Sequence, residues 1–269
     1  MDTFCLFFAL TTYCSTSVAF LGFVQHFEHK VQLFGEEKLV KKLTLDDLDD
    51  DDKAALRTGS HLFLLGKDTV GRAVCFMCQK FCDVKTWKNQ LRSHWYQVMT
   101  ALEDEEVQKK GVVFIAYEVG RRLGQAKHFN DIIRSRSIAE DGLPFRVVSM
   151  HLCYNSLTLR TAISLIHQVS GSEFRVRFRH HFGSNQECQY ELMTYGLPKS
   201  MLYVDDMGML RKDLVQKFVE MRTTREKHAV HNNAFTSTES IEVATINDVL
   251  LGRGKVSERK RHQSAKELD

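Results

Sequence analysis

Residues 111–120 read GVVFIAYEVG, and Val112 to Tyr117 form an unbroken apolar run between Gly111 and Glu118. A run this short, with no polar position every second residue, suits a central strand buried on both faces; an amphipathic helix would need more residues and a polar stripe. On either side, segments rich in Val, Ile and Phe alternate with helical patterns. Strands are expected near 73–77, 145–153 and 174–182, and helices over 87–102, 129–138, 157–169 and 187–195. Strand and helix in repeated alternation predict an α/β fold, a sheet covered by helices. Upstream, Phe23, Phe27, Val31 and Phe34 recur at helical spacing and begin a helical lobe over 22–57, in which Thr44 is placed to cap a short segment. Downstream, a charged helix over 210–221, within a 209–225 segment, leads into a polar linker and a basic tail over 226–269.

The charge balance narrows the partners. Across 269 residues, 26% charged with a net charge of +3, there is no polyelectrolyte character, so nucleic acid is not expected as a partner. The asymmetries are local: Asp46 to Asp52 (DDLDDDD) carries six carboxylates, and Arg253 to Lys266 carries six Lys and Arg. Both runs read as solvated, extended segments. Seven cysteines without framework spacing point to reduced thiols in an intracellular, cytoplasmic setting. The apolar stretch over 4–24, FCLFFALTTYCSTSVAFLGFV, approaches the length of a membrane span, but hydroxyls interrupt it and Asp2 precedes it. It is read as a targeting peptide, an anchor or a buried helix.

Three patterns suggest chemistry, and each has a plain structural alternative. Cys75-x-x-Cys78-x-x-x-Cys82 has the spacing of a thiolate site, yet a closed zinc centre needs a fourth ligand and no second CxxC or HxxxH pair is present. No metal or other cofactor is expected. Leu251 to Lys255 (LGRGK) misses the Gly and the Ser or Thr that a phosphate loop requires. His151, on an apolar strand, is expected to be a hydrogen-bonded core residue, and no GxSxG elbow accompanies it. Two further patterns bear on binding. Phe174, Val176 and Phe178 alternate with Arg175, Arg177 and Arg179, so a strand there would show a core face and a cationic face. Leu159, Ala162, Ile163, Ile166 and Val169 make an apolar stripe on the 157–169 helix. That stripe either packs a surface helix on the sheet or closes over an apolar cavity.

Several motifs in order resemble those of the CRAL-TRIO lipid-binding domains. GKDTVGRAV (66–74) is similar to the family's G-x-D-x-x-G-R-P-V, GVVFIAYEVG stands at its central strand, and LPFRVVSMHLCYNSLTLRTAISLIHQV (143–169) resembles its strand, turn and gate helix. FRVRFRHHFGSNQECQYELMTYGLP (174–198) matches a strand, a Gly-Ser and a closing helix, with Val204 to Gly208 at the family's acidic and glycine end. The departures are Ala73 after Gly-Arg, Ser156 and Leu157 after Asn155, Met209 after Gly208, and Cys188 or Tyr190 where phosphoinositide-binding members carry Lys. Near the C-terminus, Asn247 to Lys255 (NDVLLGRGK) is similar to the opening of an uncharacterised algal module.

The resemblance implies an α/β fold with a mostly parallel, five-stranded sheet over 58–208, a short N-terminal helical lobe and a disordered C-terminal tail. It also implies binding without bond-making: a monomer that holds a phospholipid or other hydrophobic ligand in an apolar pocket, gated by a mobile helix, and visits membranes transiently. The pocket residues it implies are Val113, Ile115, Tyr117, Val148 and Met150 on the floor, Leu159, Ala162, Ile163 and Ile166 on the lid, and Phe178. Arg175, Arg177 and Arg179 are the candidates for headgroup or membrane contact. Burial of one C16 chain at about 0.8 kcal/mol per CH₂ would supply roughly 10 kcal/mol before entropic costs. The competing expectation is a degenerate domain that serves as a protein-interaction scaffold, its pocket filled by side chains.

Overall fold

In a computed structural model, described for residues 16–121, 146–169 and 172–231, five strands form one sheet in chain order, β1-β2-β3-β4-β5. The strands are β1 (His61–Lys67), β2 (Ala73–Met77), β3 (Val112–Tyr117), β4 (Val147–Tyr154) and β5 (Phe178–Phe182). β1 runs antiparallel to β2, and the remaining pairs are parallel. The helices are α1 (Thr16–Phe34), α2 (Asp50–Arg57), α3 (Trp87–Ala101), α4 (Glu105–Lys110), α5 (Leu157–Val169), α6 (Ser172–Arg177), α7 (Asn185–Thr194) and α8 (Lys212–His231). Residues up to Thr224 belong to one compact unit, and Arg225–Asp269 to a second. α8 continues past residue 225, into the stretch read from sequence as linker. The helix expected over 129–138, the stretch 1–15, the basic tail and NDVLLGRGK lie outside the described residues.

The sheet's order decides where its helices go. Parallel neighbours that advance one strand at a time in one direction, joined by right-handed crossovers, put every crossover on the same face. α3 and α5 share that face. His61, opposite Met77, meets Gln90 of α3 at 2.7 Å, while Phe178, opposite Met150, packs against Ile163 of α5. The other face is covered by α7 and the segment that follows it. There Tyr117 Oη donates to Asn185 Oδ1 (3.1 Å), and the Tyr203 ring lies 6.1 Å from that of Phe76. We call these the crossover face and the α7 face.

Two local devices hold the parallel strands in place. Asp68, whose side chain is fully buried, accepts from the Val70 and Arg72 amides and from Arg72 Nε (3.0, 2.7 and 2.6 Å), closing the turn that starts β2. This gives the Asp68, Gly71 and Arg72 of the sequence motif a physical role: Gly71 has φ +84°, a conformation that strains other residues. Gly111, at φ +80°, enters β3 so close to the next strand that a Cβ would lie 2.6 Å from the Arg146 carbonyl.

The acidic run is not a solvated, extended segment. Thr44 and Asp47 form a reciprocal cap on one short turn, and Asp49 and Asp52 form another on α2. Asp47 also pairs with Lys38. Asp52 is 0% exposed and accepts from Arg92 Nε (2.7 Å) and Asn89 Nδ2 (2.9 Å). Arg92 further donates to the Leu33 and Asp47 carbonyls (2.8 and 3.0 Å) and covers the Phe34 ring. One side chain of α3 thus ties α1, the acidic turns and α2 to the sheet. Helix capping and one buried ion pair use the carboxylates that self-repulsion alone would have spread apart.

Candidate functional site

The lid helix expected over 157–169 is present with those bounds as α5. Ile163 is buried (3% exposed) against Tyr154 and Phe178, with Met150, Leu152 and Leu159 half-buried around them. The buried members of this small cluster are distinct from those of the main core, which gathers Trp95, Tyr96, Phe76 and Ile115, and the half-buried Met150 packs against both. Of the residues expected to form the pocket, the structure brings together Met150, Leu159, Ile163 and Phe178. Tyr154 and Leu152 join them, and sequence reading did not single these two out. Ala162 and Ile166 belong to the same helix.

The expected floor divides between two faces. Val113, Ile115 and Tyr117 pair with Ser149, His151 and Cys153, whereas Met150 pairs with Phe114. Paired residues share a face and neighbours along a strand alternate, so Val113, Ile115 and Tyr117 project to the α7 face, away from Met150, Phe178 and α5. They are 1%, 0% and 0% exposed and belong to the main core. Val148 sits where the register of β3 and β4 slips by one residue, and it is half-buried.

The arginine ladder is also redistributed. Residues 172–177 form helix α6, and only Phe178–Phe182 pair with β4. In a helix, positions two apart point in widely different directions, so Arg175 and Arg177, both exposed, do not share a face with each other or with the half-buried Arg179 of β5. The alternating sequence is compatible with a longer strand, but pairing with β4 begins at Phe178, opposite Met150, and the residues before it form the end of the crossover from α5 as helix α6.

The thiols behave as apolar groups. Cys75 and Cys78 are buried, Cys82 is half-buried, and burial pushes the Cys78 thiol up to about 12. Among the described residues, no group of three or more His, Cys, Asp or Glu is arranged to hold a metal ion.

The α7 face carries a polar line that sequence reading found only in part. His151 is a buried, hydrogen-bonded strand residue, with its Nδ1 3.0 Å from His181 Nε2 and its Nε2 3.3 Å from Ser149 Oγ. His181 Nδ1 lies 2.6 Å from Glu191 Oε2. Ser149 and His151, two apart on one strand, were a legible hint; Glu191, on a later helix, was not.

Two surface clefts lie elsewhere. One, of about 400 Å³, is bounded by Arg57, Lys212, Val215 and Val219, and the other, of about 550 Å³, by Lys199, Val204, Met207 and Arg211. Neither is lined by a candidate lipid-binding residue. Among the described residues no helix is long and apolar enough to cross a membrane. The chain matches no protein-family model and no curated protein sequence.

Proposed function

We propose that the protein binds a lipid acyl chain on the crossover face, between β4, β5 and a movable helix α5, and carries or presents it at membranes. The observation that supports this is the small cluster beneath α5, whose buried members are distinct from those of the main core. Among the described residues of the helix Ile163 is the one deeply buried, while Met150, Leu152 and Leu159 are half-buried and Leu157 and Leu165 are 70% and 59% exposed. The exposed leucines offer apolar surface that an acyl chain would cover, which is the free-energy gain that would favour binding there. The ordered CRAL-TRIO motifs support the same reading. The contact set is Met150, Leu152, Tyr154, Leu159, Ile163 and Phe178, without the α7-face residues of β3. Arg175 and Arg177, exposed on α6, then meet anionic headgroups as a peripheral membrane contact of an intracellular monomer.

The test is extraction of the purified protein and mass spectrometry of what it carries, with transfer of fluorescent phospholipid between vesicles as the second readout. Bound lipid and transfer are expected, and both are lost in Ile163→Asp. Lipid-free protein that moves no fluorescent phospholipid overturns the reading.

A second reading, a protein-interaction module, draws on the outer side of α7. Tyr190, Met193, Met207 and Met209 are 61%, 46%, 77% and 61% exposed there, around a Lys199 that pairs with Asp206 and covers the Tyr190 ring. Met193→Asp with Met207→Asp leaves lipid loading intact on the first reading and abolishes partner binding on the second.

A further inference from the structure

Ser149, His151, His181 and Glu191 stand in one line on the α7 face, on the opposite side of the sheet from the proposed lipid site. Strand geometry sets three of them. Ser149 and His151 are two apart on β4, and His181 follows by two the Arg179 that pairs with His151. α7, whose first turn is closed by a reciprocal Ser184 and Glu187 cap, brings Glu191 to the outer end. The two imidazole planes differ by 7° and their centroids are 5.2 Å apart. With nitrogens 3.0 Å apart, that separation is what two ring radii and one hydrogen bond require, so the rings meet edge to edge and the bond lies along the lone pair. Tyr195 packs against both rings at 4.8 and 5.6 Å.

The direction of every proton follows from the carboxylate. Glu191 accepts, which places the His181 proton on Nδ1 and leaves Nε2 as an acceptor. His151 must then donate from Nδ1, and its bare Nε2 accepts from the Ser149 hydroxyl. Ser149 is half-buried, both histidines are 2% exposed, and the Glu191 side chain is 55% exposed. The line therefore runs from a half-buried hydroxyl, through a dry interior, to the exposed Glu191 carboxylate.

We propose that this line is a directed proton relay that makes Ser149 a nucleophile toward activated acyl esters, with His151 as its base and His181 and Glu191 as positioning residues. The Ser149 Oγ electron pair forms a bond to the acyl carbon while its proton goes to His151 Nε2. The His151 Nδ1 proton passes to His181 Nε2, so the positive charge rests on His181 beside the Glu191 carboxylate. Collapse of the tetrahedral centre breaks the carbon–oxygen bond to the leaving group. The shifts then run in reverse and return one proton to that oxygen, so an alcohol departs and the acyl group stays on Ser149. Water repeats the sequence and releases a carboxylic acid. The second histidine has a physical purpose in this scheme. Burial, and then His181, Arg179 and Arg72, hold the His151 pKa down at about 4, while His181 Nδ1 lies 2.6 Å from Glu191 Oε2, so a proton passed along the line brings its charge beside a carboxylate.

The full-length protein is treated with a fluorophosphonate probe, which reports attack of Oγ on phosphorus with loss of fluoride, and the labelled residue is read by mass spectrometry. In parallel, p-nitrophenyl acetate hydrolysis is followed against pH. Ser149 is the expected site, and label and hydrolysis are both lost in Ser149→Ala, whose fold is checked by circular dichroism. Removal of the base in His151→Asn lowers the labelling rate by about a hundredfold or more. Glu191→Gln keeps an acceptor at an exposed position but removes its charge; it lowers the rate by about tenfold or more and displaces the pH profile. Folded wild-type protein without label on Ser149 overturns the nucleophile, and a rate and pH profile unchanged in Glu191→Gln overturn the relay.

Discussion

The two ends of the sheet are built to different standards. At the β1–β3 end, Trp95, Tyr96 and Val98 of α3 and Phe76 and Ile115 of the strands are all 0% exposed, and Arg92 fastens the N-terminal helices over them. Arg222 of α8, 1% exposed, adds bonds to Tyr96 Oη (3.1 Å) and to the Glu103 carboxylate (3.3 Å to each oxygen). At the β4–β5 end, α5 rests on a small cluster and leaves two leucines largely exposed. The first end is packed so that removal of any large side chain leaves a void; the second can rearrange around a change. Among the described residues the tight packing is concentrated at the β1–β3 end, and the β4–β5 end carries the smaller cluster.

Three changes sharpen or break that contrast. The largest effect is expected for Trp95→Ala, which empties the centre of the packed end. Denaturant unfolding should show a loss of about 3–5 kcal/mol, whereas Ile163→Ala at the open end should lose about 2 kcal/mol, at the lower limit for an aliphatic truncation. Equal losses would show that the two ends are packed alike. Next comes Asp52→Ala, which leaves Arg92 without its buried carboxylate; a loss of about 3 kcal/mol is expected, with α1 and α2 the first segments to gain hydrogen exchange. Exchange that rises first in α5 instead would contradict the role given to Arg92.

The smallest effect is graded with pH. Burial and then the neighbouring His94 lower the His61 pKa to about 3, burial lowers that of His94 to about 4, and His151 stands at about 4. Unfolded histidines bind protons near pH 6.5, so between about 6.5 and 4 the unfolded chain holds more protons than the folded one. Stability is then complete above about pH 6.5 and falls as the pH drops toward 4, by at most about 1.4 kcal/mol per pH unit for each histidine. Two of the three lie at the packed end, so His94→Gln should flatten the fall measured by denaturant midpoints at pH 7 and pH 5. An identical midpoint at both pH values would sink this account.

The elements were largely legible in the sequence, and their mutual orientation was not. The bounds of β2, β3 and α5 follow from apolar runs and helical spacing that local physics fixes. β1 was not among the expected strands, although Leu62 and Phe63 carry its apolar character. The division of the expected floor has a different origin. VVFIAY is apolar on both sides and so carries no mark of which residues face which helix. Only the pairing with β4, shifted by one at Val148, assigns Tyr117 to α7 and Met150 to α5. The buried end of the acidic run was hidden likewise, since the partner of Asp52 lies 40 residues away on α3.

The order of the strands along the sheet has a consequence for how the molecule comes into being. Because β1 to β5 lie side by side in the order in which they are synthesised, each strand leaving the ribosome finds its template already formed and adds beside the strand made before it. The strands and α3 of the tightly packed end come first in that order, α5 and β5 follow, and the packed end is completed only when α8 brings Arg222 to Tyr96.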